Sequence, residues 1–150
     1  MEQVELINLP VPSTQQVKEP VFGDIREDWD RVRFGIGDLL QLHPHLTFRP
    51  EDVYAACVAG RAVYWKAEGG FVISTVEIDT FTEEKTFLVW LAYAWEHGND
   101  NVAKHIEFFK RVTREAGIKY LEVRTNITAM GTRLMKTGWQ LDHMIYRIEA

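Results

Sequence analysis

Cysteine is almost missing from this chain: Cys57 is the single one in 150 residues. No internal disulfide can form, and the usage fits a reducing compartment such as the cytoplasm. A basic excess is missing too. Lys and Arg number 17 against 22 Asp and Glu, for a net charge of −5, which argues against a nucleic acid partner because duplex binding relies on clustered cations. No apolar run is long enough for a membrane helix. The longest, Phe87 to Trp95, is about half of the ~20 residues a span needs. The opening Met1-Glu2-Gln3-Val4-Glu5 lacks the basic-then-apolar order of a signal peptide. No repeat or low-complexity segment is visible. The expectation is a soluble, cytoplasmic protein without membrane or nucleic acid partners.

What is present is core-forming material. Apolar residues make up 46% of the chain, with five Trp, five Tyr and eight Phe. A chain of this length can bury roughly two thirds of its unfolded surface, so residues 1–150 read as a single domain. Residues 4–8 alternate imperfectly as a short strand, and the proline-flanked stretch 13–23 reads as a loop. From Asp28, the apolar residues Trp29, Val32, Ile36, Leu39 and Leu40 recur at helical spacing. Gly35 and Gly37 sit inside that helix, each at a cost of ~1 kcal/mol relative to alanine, and His43-Pro44-His45 ends it. Pro50-Glu51-Asp52 predicts a second helix start, because proline at the first position loses no hydrogen bond and acids suit the dipole.

Two strands follow, at 62–66 and 71–79, joined by the turn signal Ala67-Glu68-Gly69-Gly70. A near-continuous apolar strand at 86–95 reads as covered on both faces. The loop 96–101 then feeds an amphipathic helix at 102–116, with Gly117 as its C′ residue. A strand at 118–125, a helix at 127–136 and a last strand opened by Gly138-Trp139 complete the order. The strand–helix–strand crossover makes the strands from 86 and 118 parallel. The fold class is therefore α/β (α+β): a mixed, mostly antiparallel sheet with one parallel strand pair and helices on both faces.

This order resembles the GNAT acyl-CoA N-acyltransferase superfamily over almost the whole chain. The segments that carry the resemblance are Asn126-Ile127-Thr128-Ala129, Leu134-Met135-Lys136-Thr137-Gly138-Trp139 and Gly117-Ile118-Lys119-Tyr120-Leu121-Glu122-Val123. The resemblance implies acetyl-CoA as co-substrate and a small-molecule or protein amine as acceptor. It places pantetheine along Leu91, Ala92 and Tyr93 and pyrophosphate on the loop and helix start Gly98, Asn99, Asp100, Asn101, Val102, Ala103 and Lys104. Asn126 would orient the cofactor. Of the family's phosphate-loop positions, here Gly98, Asn101 and Ala103, only Ala103 fits the pattern. Leu134 stands where many members carry the tyrosine that protonates the leaving thiolate.

The residues themselves leave alternatives open. The amides at the start of the helix from Val102 would hold phosphate, or be capped by Asn99, Asp100 or Asn101. Glu77 and Glu96 are the candidate bases for deprotonating an amine, with Asp79 behind them; each is also an ordinary solvated acid. By alternation Trp90 faces one side of its strand and Tyr93 and Trp95 the other, as core, or as an aromatic surface for a homo-oligomer. His43-x-His45 has no acidic or cysteine partner at metal-site spacing, so no metal is expected. Cys57 reads as inert packing. The competing reading from another class is a non-catalytic GNAT-like binding or assembly module, for example a phage protein.

Overall fold

In a computed structural model, residues 18–96 and 100–150 are described; the strand expected at residues 4–8 and positions 97–99 of the loop lie outside them. One sheet organises these residues: β1 (Val21–Phe22), β2 (Ala62–Ala67), β3 (Gly70–Ile78), β4 (Lys85–Ala94) and β5 (Tyr120–Val123), in that spatial order. The first three pairings are antiparallel, and β4 pairs with β5 in parallel. The helices are α1 (Trp29–Leu42), α2 (Pro50–Val58), α3 (Asn101–Lys104), α4 (Ile106–Glu115) and α5 (Thr128–Lys136).

Burial divides the core between the two sheet faces. On one, Val32 and Ile36 of α1 and Val53 of α2 pack with Phe71, Ile73, Leu91 and Tyr93. On the other, Phe109 of α4 packs with Trp65, Val72, Phe87 and Val89. The α1 helix is continuous through both glycines, and one of them has a packing reason. A Cβ at Gly35 would lie 2.7 Å from Phe71 Cε2 and 2.9 Å from Tyr93 Cδ2, whereas one at Gly37 meets nothing within 4 Å. Gly35 is where the helix backbone comes closest to the sheet.

Several expectations are corrected. Val21 and Phe22, read as loop, pair with Lys66 and Trp65. The strand expected at 118–125 is only Tyr120–Val123. The helix expected at 102–116 breaks at His105, whose φ of −116° and ψ of 21° leave the helical range. Its buried positions explain the break. Asn101, His105 and Thr113 are buried, and so is Phe109. A four-residue repeat drifts roughly 40° per step on a straight helix, and unwinding at His105 keeps the row facing the sheet.

Trp90 is corrected as well. Register runs Ile73↔Leu91 and then Ser74↔Val89, so Trp90 is the extra residue of a β-bulge. The alternation slips there, and Trp90 joins Tyr93 and Trp95 around the α1–α2 core. Finally, no strand follows Gly138-Trp139. Residues 139–150 form no regular element, because a strand needs an edge to pair with and this segment lies on none of its own chain's.

The two glycines of α1 make opposite predictions. Gly37→Ala should raise stability by about 0.5–1 kcal/mol through lost unfolded-state freedom. Gly35→Ala should lower it, because the Phe71 ring it meets is fully buried. Urea denaturation of both variants checks this, and equal shifts of the same sign would refute it.

Candidate functional site

The parallel ladder between β4 and β5 stops at Val89↔Val123, while β4 continues to Ala94 against β3. Beyond that last pair the strands part. The bulge at Trp90 sits at the parting, where it turns the backbone of β4. A groove of about 410 Å³ opens there. Its floor is β4 from Val89 to Ala94, and one wall is Val123 to Ile127 with Met130, Arg133 and Leu134 of α5. Leu39, His43, His45 and Leu46 close the other side, and Asp100, Asn101 and Val102 one end.

The rings that crowd β4 turn toward the core and leave the groove open. The Tyr93 hydroxyl donates to Asp38 Oδ2 at 2.8 Å; burial, and then that bond, push its pKa above the usual phenol value. Trp90 packs against Phe48 with ring centres 5.2 Å apart. The Asn101 amide Nδ2 donates to the Tyr93 carbonyl at 2.7 Å. Gly70 makes that contact possible, since a Cβ there would collide with the Tyr93 carbonyl and Asn101 Nδ2.

At the groove's end the α3 amides are satisfied internally. One Asp100 carboxylate oxygen accepts from both Val102 N–H and Ala103 N–H, each at 3.0 Å. The other oxygen accepts from Arg133 Nη2 at 3.0 Å. A carboxylate thus sits where the resemblance places phosphate, with a guanidinium beside it from across the groove.

The structure brings Leu91, Ala92, Tyr93, Asp100, Asn101, Val102 and Asn126 together on the groove. Ala103 and Lys104 lie next to it in α3 without lining it, and Gly98 and Asn99 fall outside the described residues. Neither expected base lies there. Glu77 pairs opposite Thr86, three rows before the parting, so roughly 10 Å from it along the strand. Its carboxylate is held in an ion pair by Arg124 at 2.6 Å. Glu96 is exposed past the end of β4. Asp79 accepts from the Phe81 and Thr82 amides in the β3–β4 turn, and those bonds lower its pKa.

The titratable side chains that sequence reasoning left out of the site are His43 and His45. Both line the groove, with rings 5.8 Å apart. Nothing local in the sequence marks them, because only folding brings the end of α1 over β4. Cys57 lies away from the groove, and burial pushes its thiol up to about 11.

No protein-family model matches the chain, and no curated protein does either. Solved structures match its fold. One is a ribosomal-protein-alanine N-acetyltransferase from Brucella melitensis biovar Abortus 2308, at 19% identity and TM-score 0.63, covering 88% of this chain and 98% of that one. A second is described as a possible acetyltransferase from Clostridium difficile 630, at 13% identity and TM-score 0.65, covering 90% and 99%. A third is an integron cassette protein from the mobile metagenome of Cole Harbour Salt Marsh, at 11% identity and TM-score 0.63, covering 88% and 90%. A mixed sheet whose single parallel pair parts beside a helix start defines the GNAT class of fold. The chain has that fold.

Two outcomes test the local chemistry. Asp100→Ala removes the cap of two amides and should cost about 1 kcal/mol, while Asp100→Ser keeps most of the cap; equal unfolding midpoints for the two would contradict the assignment. At pH 8 the Cys57 thiol should react with an aromatic disulfide reagent on the order of 100-fold more slowly than free cysteine. The rate should climb steeply as pH approaches 11, and fast labelling at pH 8 would show that burial does not control it.

Proposed function

We propose that the protein transfers an acyl group from an acyl-CoA thioester to an amine. The observation that carries this reading is the groove at the parted parallel pair. Past Val89 the β5 side of β4 has no neighbouring strand, so backbone groups of Trp90 to Ala94 can hydrogen-bond the amides of a pantetheine arm in strand-like fashion. The groove is apolar along Leu91, Val123, Met130 and Leu134, which suits an acyl chain and keeps water from the thioester. Asn126, at its rim, orients the arm.

The phosphate end fits less directly. The Val102 and Ala103 amides are held by Asp100, so a diphosphate either displaces that carboxylate or binds beside it on Arg133. Arg133 is the one guanidinium lining the groove, and Lys104 supplies positive charge on the flanking turn. Displacement replaces one anion by another on the same donors, and Asp100 then swings to solvent.

The chemistry asks for one proton acceptor. The amine nitrogen attacks the thioester carbonyl carbon, the C–S bond breaks, and the thiolate leaves. His43 or His45 accepts the proton the amine gives up, directly or through a water, since both face the groove. Leu134 cannot deliver a proton to the thiolate, so that proton comes from the imidazolium or from solvent. Glu77 and Glu96 could act only through intervening water, from the distances described above.

The test is a thermal shift with acetyl-CoA. At 100 times Kd, binding should add about 2.7 kcal/mol of stability. Arg133→Ala should weaken the shift, whereas replacing both His43 and His45 by Ala should preserve it and abolish amine acetylation. An unchanged midpoint at millimolar acetyl-CoA would remove the transferase reading and leave the binding or assembly module.

A further inference from the structure

The most exposed apolar segment of the molecule follows α5. Ile145 is 77% exposed, Tyr146 87% and Ile148 91%, with Leu141 and Met144 also exposed. Apolar side chains in such density do not stay in water without a function or a partner. Among the described residues this segment makes no backbone hydrogen bond beyond the turn at Trp139. The sheet has a complementary gap. β5 is its last strand and pairs on one side only, although Leu121 and Val123 pack into the α4 core from that edge. An unpaired strand edge with half-buried apolar residues is a template for another strand.

We propose that residues 144–149 add as an antiparallel strand to β5 of a second copy of this chain, and that the second copy returns the same contact. Each chain carries one edge and one free segment, so two chains related by a two-fold axis satisfy both and leave neither exposed. The side chains fix the register. With Arg147 opposite Glu122, Tyr146 falls opposite Val123 and Ile148 opposite Leu121. Tyr146 and Ile148 then extend the α4 face of the sheet, while Arg147 meets Glu122 on the other face, where Arg124 already lies 3.3 Å from it. A slip of one residue would put Arg147 against the apolar core. Val123 also lines the groove, so the added strand lengthens the groove's wall, with Tyr146 of the second copy next to Val123. The proposal does not depend on acyl transfer.

Why a second copy, when the same chain has both parts? Within one chain the crossover through α5 would deliver the segment parallel to β5. In the structure it lies off that edge, with nearly all of its apolar surface in solvent. Exchange between copies carries no such constraint on direction.

Charge reversal in a mixing experiment separates the arrangements. By sedimentation velocity the full chain should be a dimer at micromolar concentration. Glu122→Arg and Arg147→Glu should each shift the monomer–dimer midpoint at least about tenfold toward monomer, because like charges then face each other across the new pair. An equimolar mixture of the two variants should dimerise again, since each edge then meets an opposite charge from the other chain. Pairing within one chain predicts no such rescue. A full chain that stays monomeric at 100 µM, single variants that dimerise unchanged, or a mixture that stays monomeric would each overturn the proposal. A Tyr146→Asp/Ile148→Asp variant, whose substitutions lie outside the folded core, should be monomeric with an unchanged far-ultraviolet spectrum.

Discussion

The separation of β4 from β5 after Val89↔Val123 is the constraint on which the rest depends. Parallel strands normally stay paired because each unpaired amide and carbonyl loses a hydrogen bond. Here the extra residue at Trp90 turns β4 away from the line of β5, and β3 follows it through the bulge. The arrangement is held from behind. Gly70 lets Asn101 reach the Tyr93 carbonyl, and Tyr93 in turn reaches Asp38 on α1. One chain of contacts therefore ties the loop side of the groove, the strand floor and the helix above it, so the groove's width follows from core packing.

Much of this was legible in the residues. Pro50-Glu51-Asp52 marked α2, the Gly-rich turn marked the hairpin, and the apolar run at 86–95 marked the strand buried on both faces. The crossover length implied the parallel pair. What the pattern could not carry was the register. A bulge is one residue out of step in a pairing, and alternation within β4 alone cannot reveal which partner residue is skipped. The break at His105 was hidden for a related reason: Val102, Ile106 and Phe109 suggested one stripe, while the row actually buried contains Asn101, His105 and Thr113. Polar residues become buried by specific hydrogen bonds and shape, which hydropathy does not register.

The same limit explains the site. Floor and wall residues such as Leu91, Tyr93 and Asn126 followed from topology, since a parting parallel pair defines where they must sit. Glu77 and Glu96 did not reach the groove because position along a strand matters as much as which strand. Three rows in β3 separate Glu77 from the opening. His43 and His45 come from the end of α1, more than forty residues before β4 in sequence, and only tertiary packing places them there. The strand expected after Gly138-Trp139 has the residues of a strand without an edge in its own chain to receive it.

Asp100 holds the balance between a folded apo protein and a ligand-bound one. Helix-start amides left bare would be costly, and in this chain a carboxylate from the preceding residue satisfies two of them, with Arg133 compensating its charge. The pair is exposed enough that its Coulomb energy is screened, so most of what it contributes is the cap itself. A phosphate arriving at the same donors meets little net field, because Arg133 and Asp100 cancel until they separate. Separation gives the ligand both the amides and the guanidinium. The loop thus remains competent for an anion without the glycines that would let backbone alone form the cradle, and the cost is a weaker grip equal to the displaced cap. An acyl-CoA held this way owes most of its affinity to the pantetheine and acyl contacts along β4, and comparatively little to its phosphates.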